Sequence, residues 1–257
     1  MEEFSFEPQE VRKSTKPVVD EKKKAANLSL IEVYLWFAFG LLISGVVSLG
    51  LPNLIVLLLN NQFDSELLSM IYLVVFVLSV IFLLVSGLIC RIQAFRKNMP
   101  LIITSYIIYS VSMGVLLSNV FLLYVGPGDG LNTIALAFLV TGGVFLLCGL
   151  FGALTKKKNL SFLVPILMSV LMGALIISLV NFFIQSSLLY WVFDFVFLGA
   201  LLLEVGLDFH SVHKIADSGE FEKSKNLAIF CAFTLYSDFI YLFVRFLLII
   251  LSSNRKK

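Results

Sequence analysis

Seven apolar runs, each long enough to cross a bilayer as a helix, set the limits on what this chain can fold into. They occupy residues 30–50, 67–90, 101–124, 131–154, 160–183, 188–207 and 227–251. A hydrocarbon core about 30 Å thick takes roughly 20 helical residues to span. Composition agrees: 59% of the 257 residues are apolar and 14% are charged, against roughly 45–50% and about 25% in soluble domains. The surplus requires lipid as a partner. The expected fold is an all-α polytopic membrane domain over residues 29–251, between a polar tail (1–28) and a short basic tail (252–257). The first tail has too few apolar residues to fold alone and is expected to be disordered. It does not read as a signal peptide, because the apolar run after it is too long. Pro52 and Asn53 are expected to end the first span, with 54–59 extending it or lying at the interface.

Charge alternates along the six connections. The stretches 91–98, 156–158 and 209–226 each hold three basic residues, while 60–66, 126–130 and 184–187 hold none. Basic loops stay on the cytoplasmic side, so the N-terminus is expected inside. A seventh crossing then places Arg255-Lys256-Lys257 outside, against the same rule. The short loops fit a prokaryotic plasma membrane, with an internal eukaryotic membrane as the alternative. The net charge of +2 reflects this sidedness and gives no reason to expect nucleic acid as a partner.

Small residues recur four apart as Gly40/Ser44, Ser110/Gly114, Gly149/Ala153 and Ser169/Gly173. That spacing lets helices approach closely, as in a compact bundle. Cys90, Cys148 and Cys231 are scattered through apolar runs with no ligand spacing and read as packing residues. His210 and His213 have a spacing that could hold a metal, but beside Lys214 they read as a solvated helix end. Gly126-Pro127-Gly128-Asp129 matches the GxGD string of intramembrane aspartyl proteases. No earlier span supplies the second deep acid such chemistry needs, so the string reads as a turn. No nucleotide loop, nucleophile elbow or zinc-protease motif is present, and neither an enzyme nor a resident cofactor is expected.

Ionisable groups inside spans are expensive and mark function by default. They gather at the C-terminal end: Asp194, Glu204 and Asp208 on the sixth run or its cytoplasmic end, Asp238 and Arg245 within the seventh. At 100° per residue the three acids of the sixth share one face, and so do Asp238 and Arg245. Facing helices would therefore form an acidic cluster with one internal cation. Two carboxyls in a poorly hydrated site do not both ionise readily and tend to share a proton, the outline of a proton switch. The alternatives are that Asp238 pairs with Arg245 or caps a broken helix, that Glu204 and Asp208 meet cytoplasmic water, and that Asp194 is solvated near the outer end.

Set in their local strings, these acids resemble a known family. Leu235-Tyr236-Ser237-Asp238-Phe239-Ile240-Tyr241-Leu242-Phe243 is similar to the seventh-helix motif of the Bax inhibitor-1 family. Residues 156–163, KKKNLSFL, resemble the basic loop entering its fifth helix, and Ser112-Met113-Gly114 resembles the kink of its third. The resemblance implies six helices around a central seventh. It also implies a passive, pH-sensitive Ca²⁺ leak gated by an Asp pair, here Asp208 and Asp238, with Ca²⁺ as the permeant ion held transiently by those carboxyls. The family's closed-state Arg falls at Arg96 by counting back from the Ser112–Gly114 kink, with Arg91 second. Leu207 stands where the family usually has Tyr, and Glu204 is an added acid one turn away. The competing reading is a non-conducting scaffold that regulates a protease or stress pathway through membrane-protein partners.

Overall fold

The computed structural model describes residues 15–60, 65–96, 98–122, 130–155 and 159–254. The segments 126–129, 156–158 and 255–257, which carry the GxGD string, a basic loop and the basic C-terminus, lie outside the described residues. Within the described residues the chain is all helix and turn. Its helices are α1 (Thr15–Asn60), α2 (Ser65–Gln93), α3 (Met99–Val120), α4 (Gly130–Thr155), α5 (Leu163–Ile184), α6 (Ser187–Ser218), the one-turn α7 (Glu220–Lys223) and α8 (Lys225–Asn254). All but α7 are long and apolar enough to cross a membrane.

Two boundaries differ from expectation. Helix α1 begins at Thr15, within the tail, and runs through Pro52 to Asn60. A proline removes one backbone donor and crowds the preceding turn. Here the helix continues through it, and in the crowded turn the Asn53 side-chain amide donates to Leu49 O at 3.0 Å. Helix α6 extends well past residue 207 to Ser218, where Gly219 takes φ +73° and its N–H closes the turn on Ala216 O. A left-handed residue at that position ends a helix, and glycine adopts it without a Cβ penalty. Asp208 therefore lies within a continuous helix. At the other end of α6, Gln185 is left-handed (φ 53°) and donates to Asn181 O at 2.8 Å. Asn181 Oδ1 accepts from the Ser186 N–H, which closes the α5–α6 turn without charge.

Burial is shared by two helices rather than confined to the last one. In the apolar windows, 72% of α8 and 61% of α3 are buried, against 11–18% for each other span. Helix α8 packs on α1, α3, α4 and α6, while α5 packs chiefly on α6 at the periphery. Helix α8 is the most buried span and touches α1, α2, α3, α4 and α6, while the full ring of six about it remains an expectation.

Small residues set the closest crossings. A Cβ on Gly114 would lie 2.7 Å from Val47 Cβ and 2.9 Å from Ser44 O, so α1 and α3 meet at backbone distance. Tyr106 spans the same junction, donating to Trp36 O at 2.8 Å and leaving no room for a side chain at Gly40. The α4–α6 crossing is closer still, with Gly152 against Phe209 and the His210 N. Gly173, by contrast, faces open space, so the Ser169/Gly173 pair makes no crossing in this chain.

Candidate functional site

The sequence expected one acidic cluster with one internal cation, and the structure separates it into two sites. Arg245 does not join the deep acids. It forms an ion pair and hydrogen bond with Asp194, and its guanidinium carbon lies 5.6 Å and 5.1 Å from the ring centres of Phe193 and Phe197. Asp194 is accordingly a partnered residue rather than a solvated one. The pair is half-buried, with 16% of Arg245 and 27% of Asp194 exposed. An aromatic face under a guanidinium adds about 0.5–2 kcal/mol to such a contact. This unit clamps the end of α6 nearest the α5–α6 turn to α8.

Removing the cation alone would strand Asp194. Breaking a fully buried pair costs about 3–5 kcal/mol, and with Asp194 partly exposed the loss from Arg245→Leu is expected near 2 kcal/mol. The double change Asp194→Leu with Arg245→Leu should recover much of it, because neither charge is then left alone. Thermal melting of the purified protein in one detergent checks both. Equal losses in the single and double variants would remove the clamp from the account.

Two turns along α8 from Arg245, the rise being about 10 Å, lies the second site. Asp208 of α6 and Asp238 of α8 form a pair in which each carboxyl acts on the other. Asp238 is only 5% exposed, and its Oδ2 takes no hydrogen bond from any N–H or hydroxyl donor among the described residues. Glu204, one turn before Asp208, acts electrostatically on both carboxyls. Arg91, in the last turn of α2, acts on Glu204 and Asp208. Cys231 falls within electrostatic range of Asp208 and Cys148 within that of Asp238, and the Cys148 thiol contacts Leu202 O at 3.7 Å.

Arg91, rather than Arg96, is the cation that reaches this site. Helix α2 stops at Gln93, and Arg96 falls in the turn beyond it with an exposed side chain. Its backbone carbonyl is the part in use: the buried Asn226 side chain donates to Arg96 O and to Gln93 O, tying the end of α2 to the start of α8. Asn226 went unnoticed in the sequence because a single amide at a span boundary carries no pattern.

A cavity of about 580 Å³ opens onto the acids between α2, α6 and α8. Arg91, Glu204, Asp238, Thr234, Tyr109 and Tyr241 supply its polar lining, and Leu84 and Leu88 its rim. Also in the lining, Ser237 Oγ donates to Phe233 O at 2.9 Å and pairs with the Tyr109 hydroxyl at 3.2 Å. His210 is buried rather than solvated as expected, and the His213 ring contacts Phe209 O at 2.8 Å. Among the described residues no three His, Cys, Asp or Glu side chains converge closely enough to hold a metal ion.

Residues 26–256 match the sequence profile of the family described as inhibitor of apoptosis-promoting Bax1. The chain is 31% identical over 227 residues to the inner membrane protein YbhL of Escherichia coli K12, covering 85% of this chain and 88% of YbhL. It is 28% identical over 198 residues to an uncharacterized membrane protein of Streptococcus pyogenes serotype M1, covering 76% and 77% of the two chains. An uncharacterized protein of Rickettsia prowazekii is 31% identical over 153 residues, 58% of this chain and 61% of that one.

Proposed function

The chain belongs to the Bax inhibitor-1 family and is a multi-pass integral membrane protein, and on that premise we propose that it is a passive, pH-sensitive cation leak carrying Ca²⁺. The observation that carries the reading is the Asp208–Asp238 pair, two carboxyls from different helices that act on each other, with Asp238 buried. Ca²⁺ takes carboxylate and carbonyl oxygens, and the acids of this site are the supply at that depth. With one proton held between them, the two carboxyls attract and tie α6 to α8, and the path is closed. When that proton leaves, like charges in a poorly hydrated place repel, and the two helices part. The membrane proposed is a bacterial plasma membrane with the N-terminus inside, supported by the basic loops and by the inner-membrane name of YbhL.

Arg91 sets the pH of release in this scheme. A nearby cation favours ionised carboxyls, worth on the order of 1 kcal/mol at a separation of several ångströms. Arg91→Gln is therefore expected to move the rise of Ca²⁺ flux to higher pH, by about one unit or less. Arg96→Gln, whose side chain points to solvent, should leave the profile in place. Flux into liposomes holding each purified variant, followed with a Ca²⁺-sensitive dye, reads both. A shift with Arg96→Gln and none with Arg91→Gln would reverse the assignment.

A further inference from the structure

The cavity beside the acid pair has a composition that a bare inorganic ion does not need. Its carboxyls lie at the floor, and its walls are apolar and aromatic: Leu83, Leu84, Leu88, Phe230 and Phe233, with the rings of Tyr109 and Tyr241. Its mouth is framed by residues that face outward from the bundle, Leu84 (61% exposed), Leu88 (62%) and Tyr241 (49%), on helices long and apolar enough to sit in lipid. Helix α2 packs mainly on α3, and α6 on α4, α5 and α8, so the opening between α2 and α6 gives sideways onto the bilayer.

Charge completes the description. Glu204 and Asp238 line the cavity together with Arg91, Asp208 and Glu204 both act on Asp238, and Arg91 is the cation that acts on Glu204 and Asp208 among the described residues. Even with a proton held between the two aspartates, one negative charge remains in excess. Asp238 lines this cavity, and its Oδ2 is buried without a hydrogen-bond partner among the described residues. A volume of 580 Å³ falls within the range of small-molecule sites, roughly 300–1,000 Å³, and aromatic walls favour a cationic guest.

We propose that this cavity binds a lipophilic organic cation, one positive centre carrying apolar or aromatic groups, which enters sideways from the bilayer between α2 and α6. The positive centre rests over Glu204 and Asp238, and the substituents occupy the space between Leu84, Leu88 and the Tyr and Phe rings. The site shares its carboxyls with the proposed leak but requires no conduction, so binding and flux are separate readouts. A bound cation would also compete with any ion at Asp238.

The test uses the full chain in lipid nanodiscs and a pair of probes matched in shape and opposite in charge, tetraphenylphosphonium and tetraphenylborate. Equilibrium binding is measured against empty nanodiscs of the same lipid. Saturable binding of the cation above the lipid background is expected, with no such excess for the anion. Glu204→Gln should weaken it about tenfold, Arg91→Leu should tighten it several-fold by removing the competing cation, and Leu88→Trp, which fills the mouth, should abolish it. The melting temperature of each variant separates loss of the site from loss of the fold. Cation uptake equal to empty nanodiscs, equal excess for both probes, or binding unchanged in folded Glu204→Gln and Leu88→Trp would overturn the proposal. Saturable binding in a protein that passes no Ca²⁺ would uphold the site and count against the leak alone.

Discussion

Gly152→Ala is expected to destabilise the folded protein by about 3 kcal/mol or more, beyond the usual range for one added methyl group in a core. The reason is the nature of the obstacle. A Cβ at residue 152 would lie 2.5 Å from Phe209 Cβ, 2.7 Å from the His210 N and 2.8 Å from the Phe209 C. These atoms are backbone or rigidly attached to it, so no side-chain rotation relieves the clash and α6 itself must retreat from α4. Phe209 follows Asp208 directly, and the displacement would carry the acid pair with it. Gly143→Ala is the control, because open space surrounds that position. Alanine is the better helix former by up to about 1 kcal/mol, so this variant should be neutral or slightly stabilised. Melting temperatures of the two variants in one detergent decide the matter, and equal behaviour would mean that the α4–α6 crossing is looser than described.

The seven crossings were legible because each apolar run ends in charge or turn residues, and a lipid core tolerates little else. Helix ends were less so. Pro52 reads as a stop, yet Asn53 supplies a side-chain donor to the preceding turn and the helix passes through. The helix end expected at His210 and His213 lies further on, at Ser218, because the turns beyond the apolar run keep helix-forming residues up to Gly219.

The site was legible by face and not by level. Helical periodicity correctly aligned Asp194, Glu204 and Asp208 along one face of α6, and Asp238 with Arg245 along one face of α8. Which acid meets which partner depends on the antiparallel register of the two helices, and a single sequence holds no mark of it. That register sets Asp208 at the level of Asp238 and hands Asp194 to Arg245. The same limit separates Arg91 from Arg96. Five residues apart and both exposed, they fall on either side of the end of α2, and a helix end misplaced by one turn changes which of them comes within reach of the acids. The partners of Cys148 and Cys231 follow from packing between distant spans and have no local signature.

The leak account stands or falls on the titration of one pair of carboxyls. In that account the proton-bound pair is closed and loss of the proton opens it, so Ca²⁺ flux into proteoliposomes should rise as pH goes from 6 to 8. A proton leaving within that window allows the ionised fraction to change by about tenfold or more. Asp208→Asn and Asp238→Asn each leave one carboxyl facing a neutral amide that accepts and donates hydrogen bonds. The repulsion that parts α6 from α8 is then absent at every pH, and flux should stay low and flat across the range. The most direct measurement is that pH series on wild type and the two variants side by side, with Gly143→Ala as a folded control. The account predicts a rising curve for wild type and the control, and two flat ones. Wild-type flux that is absent, or that rises equally in both Asn variants, would contradict it and favour a non-conducting scaffold whose buried acids serve the fold.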